Sequence, residues 1–202
     1  MRDAPPAHDL FKYHVTSRDG AAGHVHDLYF DDHGWRVRYV VVDVHHGLSH
    51  RQVLISPVCV RYVDPVQRRL DVSLGREQIL RGPGVDADRP VSRQHEVALH
   101  EYYGIPFYWA DEDPATPRGH GDPHLQSMRA VRGYTVITRD AAAGHVVDFV
   151  VDCTAWTVTG IVVARRHWLA GPRLVMPVSA VEHVSWLGKA VYLQPEAVGR
   201  TA

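Results

Sequence analysis

Short stretches of this chain alternate apolar and polar residues with a period of two, and turn-forming residues bound them. That pattern predicts β-strands with one buried face. His24 to Phe30 and His145 to Val151 are rich in β-branched and aromatic residues and are expected as strands. "DDHG" and "DCTA" follow them and are expected to turn the chain. Trp35 to Val44 and Trp156 to Ala164 then form the second strand of a hairpin in each case. "QVLISP" and "RLVMP" supply a third strand closed by proline. Val58 to Val63 and Arg69 to Leu74 complete the first set, and Val178 to Val184 and Ala190 to Leu193 complete the second. Five or six short strands of this kind predict a small closed barrel, because closure removes exposed strand edges.

The second hairpin strand changes character along its length. Trp35, Val37, Tyr39 and Val41 share one side, while Arg36 and Arg38 begin the other and Val40, Val42 and Val44 continue it. Thr157 and Thr159, followed by Ile161 and Val163, do the same. The strand is expected to start half-exposed and to become buried on both faces, so something must cover its outer face.

The two sets of strands are copies. "YHVTSRDGAAGHVHDLYFDDHGWRVRYVVVDVHHGL" from Tyr13 aligns without a gap on "YTVITRDAAAGHVVDFVVDCTAWTVTGIVVARRHWL" from Tyr134, an offset of 121 residues. The expected organisation is a first repeat over residues 1–83, a linker over 84–124 and a second repeat over 125–202. The linker is punctuated by proline. Ser92 to Tyr103 is expected to be helical, with Ser92 as N-cap and Gly104 as the stop, and Arg76 to Arg81 forms another short helix. "YYGIPFYW" is too aromatic for a bare tether and is expected to dock on the protein.

Composition narrows the function classes. Hydrophobic residues make up 45% of 202, enough for a packed core. A formal net charge of -1 offers no field to draw in nucleic acid or an acidic membrane. No apolar run approaches a membrane span, and the N-terminus lacks the apolar region of a secretory signal, so a cytoplasmic protein is expected. Cys59 and Cys153 form no motif and are expected as small buried hydrophobes.

These residues resemble the PRC-barrel domain. "RDGAAGHVHDLYFDDHGWRVRYVVVDV" with its "QVLISP" continuation carries the resemblance, and the layout of barrel, "YYG-P-YW" linker and barrel resembles tandem bacterial members. The family takes its name from the cytoplasmic part of the photosynthetic reaction-centre H subunit, and it also supplies the C-terminal part of a ribosome-maturation factor. The resemblance implies an all-β chain of two small barrels in tandem, joined by a partly helical aromatic linker. It implies binding to other macromolecules or the tuning of a neighbouring cofactor, and no shared catalytic residues. The transmembrane helix of the reaction-centre subunit has no counterpart here, and the ribosomal factor pairs its PRC domain with a different barrel.

Candidate chemistry centres on histidine, of which there are 15. His24 and His26 project to one side of a strand, a spacing zinc can use. Val147 stands where His26 would recur, so a local hydrogen bond is the preferred reading of His26. His45, His46 and His50 offer a second cluster. Asp19 and Asp140 are expected to hold turns, and Asp31 and Asp32 to be solvated. No Ser-His-Asp order, phosphate loop or dinucleotide fingerprint occurs. No catalytic residue, metal ligand or cofactor is therefore assigned.

The expected function is a non-enzymatic interaction or adaptor module with a protein partner, and a homodimer is one form that partner can take. Tyr102, Tyr103, Pro106, Tyr108 and Trp109 are the candidate partner-binding residues, since Tyr and Trp dominate binding hot spots. A histidine-based metal or pH sensor is the alternative. An accessory role in photosynthetic electron transfer is a third, implied by the family name alone.

Overall fold

A computed structural model describes residues 6–46, 49–84, 99–105, 124–139, 141–165 and 173–195. The described chain is dominated by strands, in two sheets of matched order. The first contains β1 (His14–Ser17), β2 (Gly20–Asp31), β3 (Val37–His46), β4 (Ser49–Ile55), β5 (Val60–Asp64) and β6 (Arg69–Val72), in the order β4-β3-β2-β1-β6-β5. A seventh strand, β7 (Leu125–Ser127), pairs with β2 off this path. The second contains β8 (Thr135–Thr138), β9 (Ala141–Asp152), β10 (Thr157–Ala164), β11 (Arg173–Pro177), β12 (Val181–Ser185) and β13 (Ala190–Leu193), in the order β11-β10-β9-β8-β13-β12.

The 121-residue offset recurs in the backbone itself. β1 runs parallel to β6 with His14 opposite Arg69, and β8 runs parallel to β13 with Thr135 opposite Ala190. The register shifts at Val15/Thr16 and at Val136/Ile137, and again at Val60/Tyr62 and at Val181/His183. Asp31 Oδ1 accepts from the His33 and Gly34 N–H groups, and Asp152 Oδ1 accepts from those of Thr154 and Ala155. Each of these turns delivers a tryptophan at positive φ, Trp35 at 55° and Trp156 at 51°. Gly23 and Gly144 sit where a Cβ would collide with a carbonyl oxygen of the neighbouring strand, that of Asp43 and that of Ala164 respectively. This close approach explains the glycine in both copies of "AAGHV".

The expected barrel closure is not found. Both sheets are open paths, with no ladder joining their ends among the described residues. At β4 the reason is visible. Its edge is occupied by the segment after the helix Arg76–Leu80, through a bridge from Val53 to Gly84 and the Leu54 N–H to the Pro83 carbonyl. The Arg51 guanidinium donates to the Leu80 and Gly82 carbonyls beside it. A loop therefore protects the edge that closure would have removed.

The chain forms two compact units, and neither is one uninterrupted repeat. One, here the C-terminal unit, comprises Met1–Leu10, Leu28–Val37 and Gln126–Ala202. The other, the N-terminal unit, comprises Phe11–Asp27 and Arg38–Leu125. In the C-terminal unit the Val37 N–H donates to the Trp156 carbonyl, and the Val158 N–H donates to that of Trp35. Phe30 is fully buried there, 5.3 Å from Phe149 and stacked on Trp35 at 5.5 Å between ring centroids. The short helix Ala7–Leu10 joins the same unit, with Pro6 bridged to Val150.

The N-terminal unit packs Tyr39, Leu54, Ile55, Leu70, Ile79 and Leu99 at its centre. From Val37 to Val42 every residue of β3 is buried, Arg38 included, so burial on both faces begins earlier than the alternation predicts. Part of the cover is the helical stretch 99–103, where His100 meets the Tyr39 ring edge-on at 6.5 Å. That stretch stops at Gly104, whose φ is +63°. The Ile105 N–H reaches the His100 carbonyl and the Gly104 N–H that of Glu101, which is the paired geometry of a Schellman C-cap.

Candidate interaction surface

The aromatic candidates divide. Tyr103 is buried at 7% exposure, and its hydroxyl is shielded without a hydrogen-bond partner among the described residues. Burial raises its pKa, with the neighbouring Tyr102 and Cys59 adding to the shift. Tyr102 is exposed and donates its hydroxyl to the Gln78 carbonyl at 3.0 Å, tying the stretch to the helix Arg76–Leu80. Pro106, Tyr108 and Trp109 lie outside the described residues.

The histidine candidates of the N-terminal unit gather around one carboxylate. His26 Nδ1 lies 2.9 Å from Asp43 Oδ2, and His50 Nε2 lies 3.4 Å from Asp43 Oδ1. The latter is an ion-pair distance whose angles fall outside hydrogen-bond geometry. His45 sits opposite His50 across β3 and β4, with ring centroids 5.0 Å apart. His24 instead packs on His14 at 4.6 Å. His26, Asp43 and His50 do not bring three ligand atoms close enough together to share an ion. His46 has no described side chain.

In the C-terminal unit a second Asp–His pair is structural. Asp148, buried, accepts from the N–H groups of His8 at 3.1 Å and Phe149 at 2.9 Å, and its other oxygen meets His8 Nδ1. Three contacts on one carboxylate tie Ala7–Leu10 to β9 and satisfy a group that burial would otherwise penalise.

Asp19 does more than hold a turn. Its carboxylate accepts from the Arg76 N–H at 2.6 Å and from the Ser17 hydroxyl at 2.8 Å. It thereby caps a helix 57 residues away. The Arg76 N–H, then the Ser17 hydroxyl, hold its pKa below the ordinary carboxylate value against a small desolvation effect, and Arg18 adds its charge. Asp140 lies outside the described residues.

Residues 6–79 match the family model of the PRC-barrel domain. That match supports a PRC-barrel module in this chain and spans β1 to β6 with the start of the following helix. No curated protein matches the sequence. Among the described residues, no helix is long and apolar enough to cross a membrane.

Two surface features went unnoticed in the sequence. β5 and β12 end their sheets, with no ladder on their outer edges among the described residues. The hairpins they open expose apolar residues at the same repeat position, Val66 at 88% and Leu187 at 89%, with Trp186 beside Leu187 at 58%. The second feature is a groove of about 500 Å³ on the face of β1, β6 and β5, lined by Thr16, Ser17, Arg18, Arg61, Tyr62, Arg69, Asp71 and Val72. The offset alignment does hold a signal for the hairpin tips, since both positions carry an aliphatic residue inside a turn.

Proposed function

We propose that the chain is a non-enzymatic protein-interaction module, an adaptor built from two PRC-type units. The observation that carries this reading is the pair of terminal strands, β5 and β12. Each leaves an edge without a strand partner among the described residues, and each leads into a hairpin tip bearing an exposed Val66 or Trp186 and Leu187. Unpaired edges and exposed aromatic or aliphatic tips are what protein partners recognise. The aromatic segment through Tyr102, Pro106, Tyr108 and Trp109 is a further part of the proposed surface. The test is a photo-crosslinking amino acid placed at Val66, at Leu187 or at Trp109, with Arg129 as a control position. Capture of the same discrete protein from a Val66 or Leu187 probe, and not from Arg129, is expected. Profiles identical at all positions would overturn the reading.

A pH sensor is the second reading, and the His26–Asp43–His50 array favours it. Histidine changes charge between about pH 5 and 8, and here two imidazoles face one carboxylate. Following the His26 and His50 ring resonances and the β3 amides by NMR across that range tests it. A conformational change in β3 that Asp43→Asn abolishes would support a sensor; ring titration with no change in β3 would remove it.

A further inference from the structure

We propose that the groove across β1, β6 and β5 takes an extended acidic segment of a protein partner, with Arg61 and Arg18 receiving its carboxylates. This rests on the interaction-module reading and names the chemistry of the partner. The groove presents three guanidinium groups against one carboxylate, and that carboxylate is already used, because Arg69 Nε lies 2.9 Å from Asp71 Oδ1. Among the described residues the charge beside Arg18 is its chain neighbour Asp19, which is held by Arg76 and Ser17. Arg61 has no carboxylate within 4.0 Å among the described residues.

The backbone accounts for the position of Arg61. The register between β5 and β6 skips from Val60 to Tyr62, so Arg61 is the extra residue of a bulge. In a regular strand Arg61 and Tyr62 would point to opposite faces. Here both are exposed, and both line the groove. Thr16 and Tyr62 each pair with Asp71 from opposite sides, which makes a polar row three strands wide.

The fold does not require this lining. The C-terminal unit has the same bulge and keeps one arginine, Arg139 for Arg18, yet at the other charged or aromatic positions it carries Glu182 for Arg61, His183 for Tyr62, Ala190 for Arg69 and Tyr192 for Asp71. The excess positive charge is therefore a property of one unit's surface and not of strand packing. Arginine matches carboxylates through paired N–H donors. The open groove runs along β5, whose outer edge has no ladder among the described residues, with an exposed Tyr62 on its wall and an exposed Val58 in the turn just before β5, which suits an extended peptide with apolar residues between its acids. A chain of net charge -1 gives a polyanion such as nucleic acid no general attraction.

The experiment is fluorescence anisotropy on the full chain with a short labelled peptide alternating Val and Glu, and with its Gln counterpart. The Glu peptide is expected to bind at least roughly tenfold tighter than the Gln peptide and to weaken with salt. Arg61→Glu should abolish that preference while the fold persists, because Glu already occupies the equivalent site; Arg61→Gln is the milder second variant. Equal binding of both peptides, or an Arg61→Glu chain that binds as wild type does, overturns the proposal. So does tighter binding of a single-stranded oligonucleotide, or displacement of the peptide by inorganic phosphate at equal carboxylate concentration. Partner capture from Val66 alongside failure of the Glu peptide would sink this inference alone and leave the module reading standing.

Discussion

Phe30 lies in the first repeat by sequence, yet its ring packs in the C-terminal unit, and this can be tested through where its loss is felt. Phe30→Ala removes a fully buried ring in contact with Phe149 and stacked on Trp35. Truncating a buried Phe to Ala costs about 3–5 kcal/mol, through lost burial and the cavity left behind. At about 1.4 kcal/mol per tenfold, that corresponds to amide exchange roughly 100- to 5000-fold faster where opening depends on this core. Hydrogen exchange by mass spectrometry should place the effect in peptides covering β9 and β10, since the β10 residue Val158 donates to the Trp35 carbonyl beside Phe30. Peptides covering β4 to β6 should change much less. Leu70→Ala, in the N-terminal unit, should give the reverse distribution. Faster exchange in β4 to β6 with β9 and β10 unchanged in the Phe30→Ala chain would refute the segment assignment.

Three further outcomes are expected. Gly144→Ala should destabilise by about 1–3 kcal/mol, towards the upper end because the new Cβ meets a backbone oxygen, and a chemical melt of the variant checks this. Asp19 has a lowered folded pKa, so its contribution to stability is present above its ordinary value of 3.8 and is lost as pH falls through the lower folded value; Asp19→Asn should flatten the acid limb of a melting-temperature profile between about pH 5 and 2. Burial pushes the Cys59 thiol up to about 11 and, with help from Asp152, the Cys153 thiol up to about 12. Both should alkylate with iodoacetamide far more slowly than free cysteine at pH 8, and denaturant should restore the ordinary rate.

Local pattern carried much of the fold. The hairpins, the Asp31 and Asp152 turns, the helix Arg76–Leu80 and the stop at Gly104 are written in residues a few positions apart. β1 was missed because "HVTS" is short and mixed, and it becomes a strand by pairing in parallel with β6, more than fifty residues on. The Asp19 cap and the His26–Asp43–His50 array likewise join residues that only the strand register brings together. The arginine groove was invisible for a subtler reason. One bulged residue moves a side chain to the other face, and nothing in the alternation of "VRYVD" announces where the bulge falls.

The discontinuous C-terminal unit also sets an order of events during synthesis. Apart from the short strand β7, every strand of the first sheet ends at or before Val72, so most of that sheet can consolidate while the rest of the chain is still being made. Leu28–Val37 leaves the ribosome long before Phe149 and Trp156 exist to receive it. During that interval the hairpin tip carries Phe30 and Trp35 without their packing partners, a sticky nascent surface that a chaperone would recognise. Slowed translation between residues 38 and 125 would lengthen that exposure, and a transcript truncated there would make it permanent.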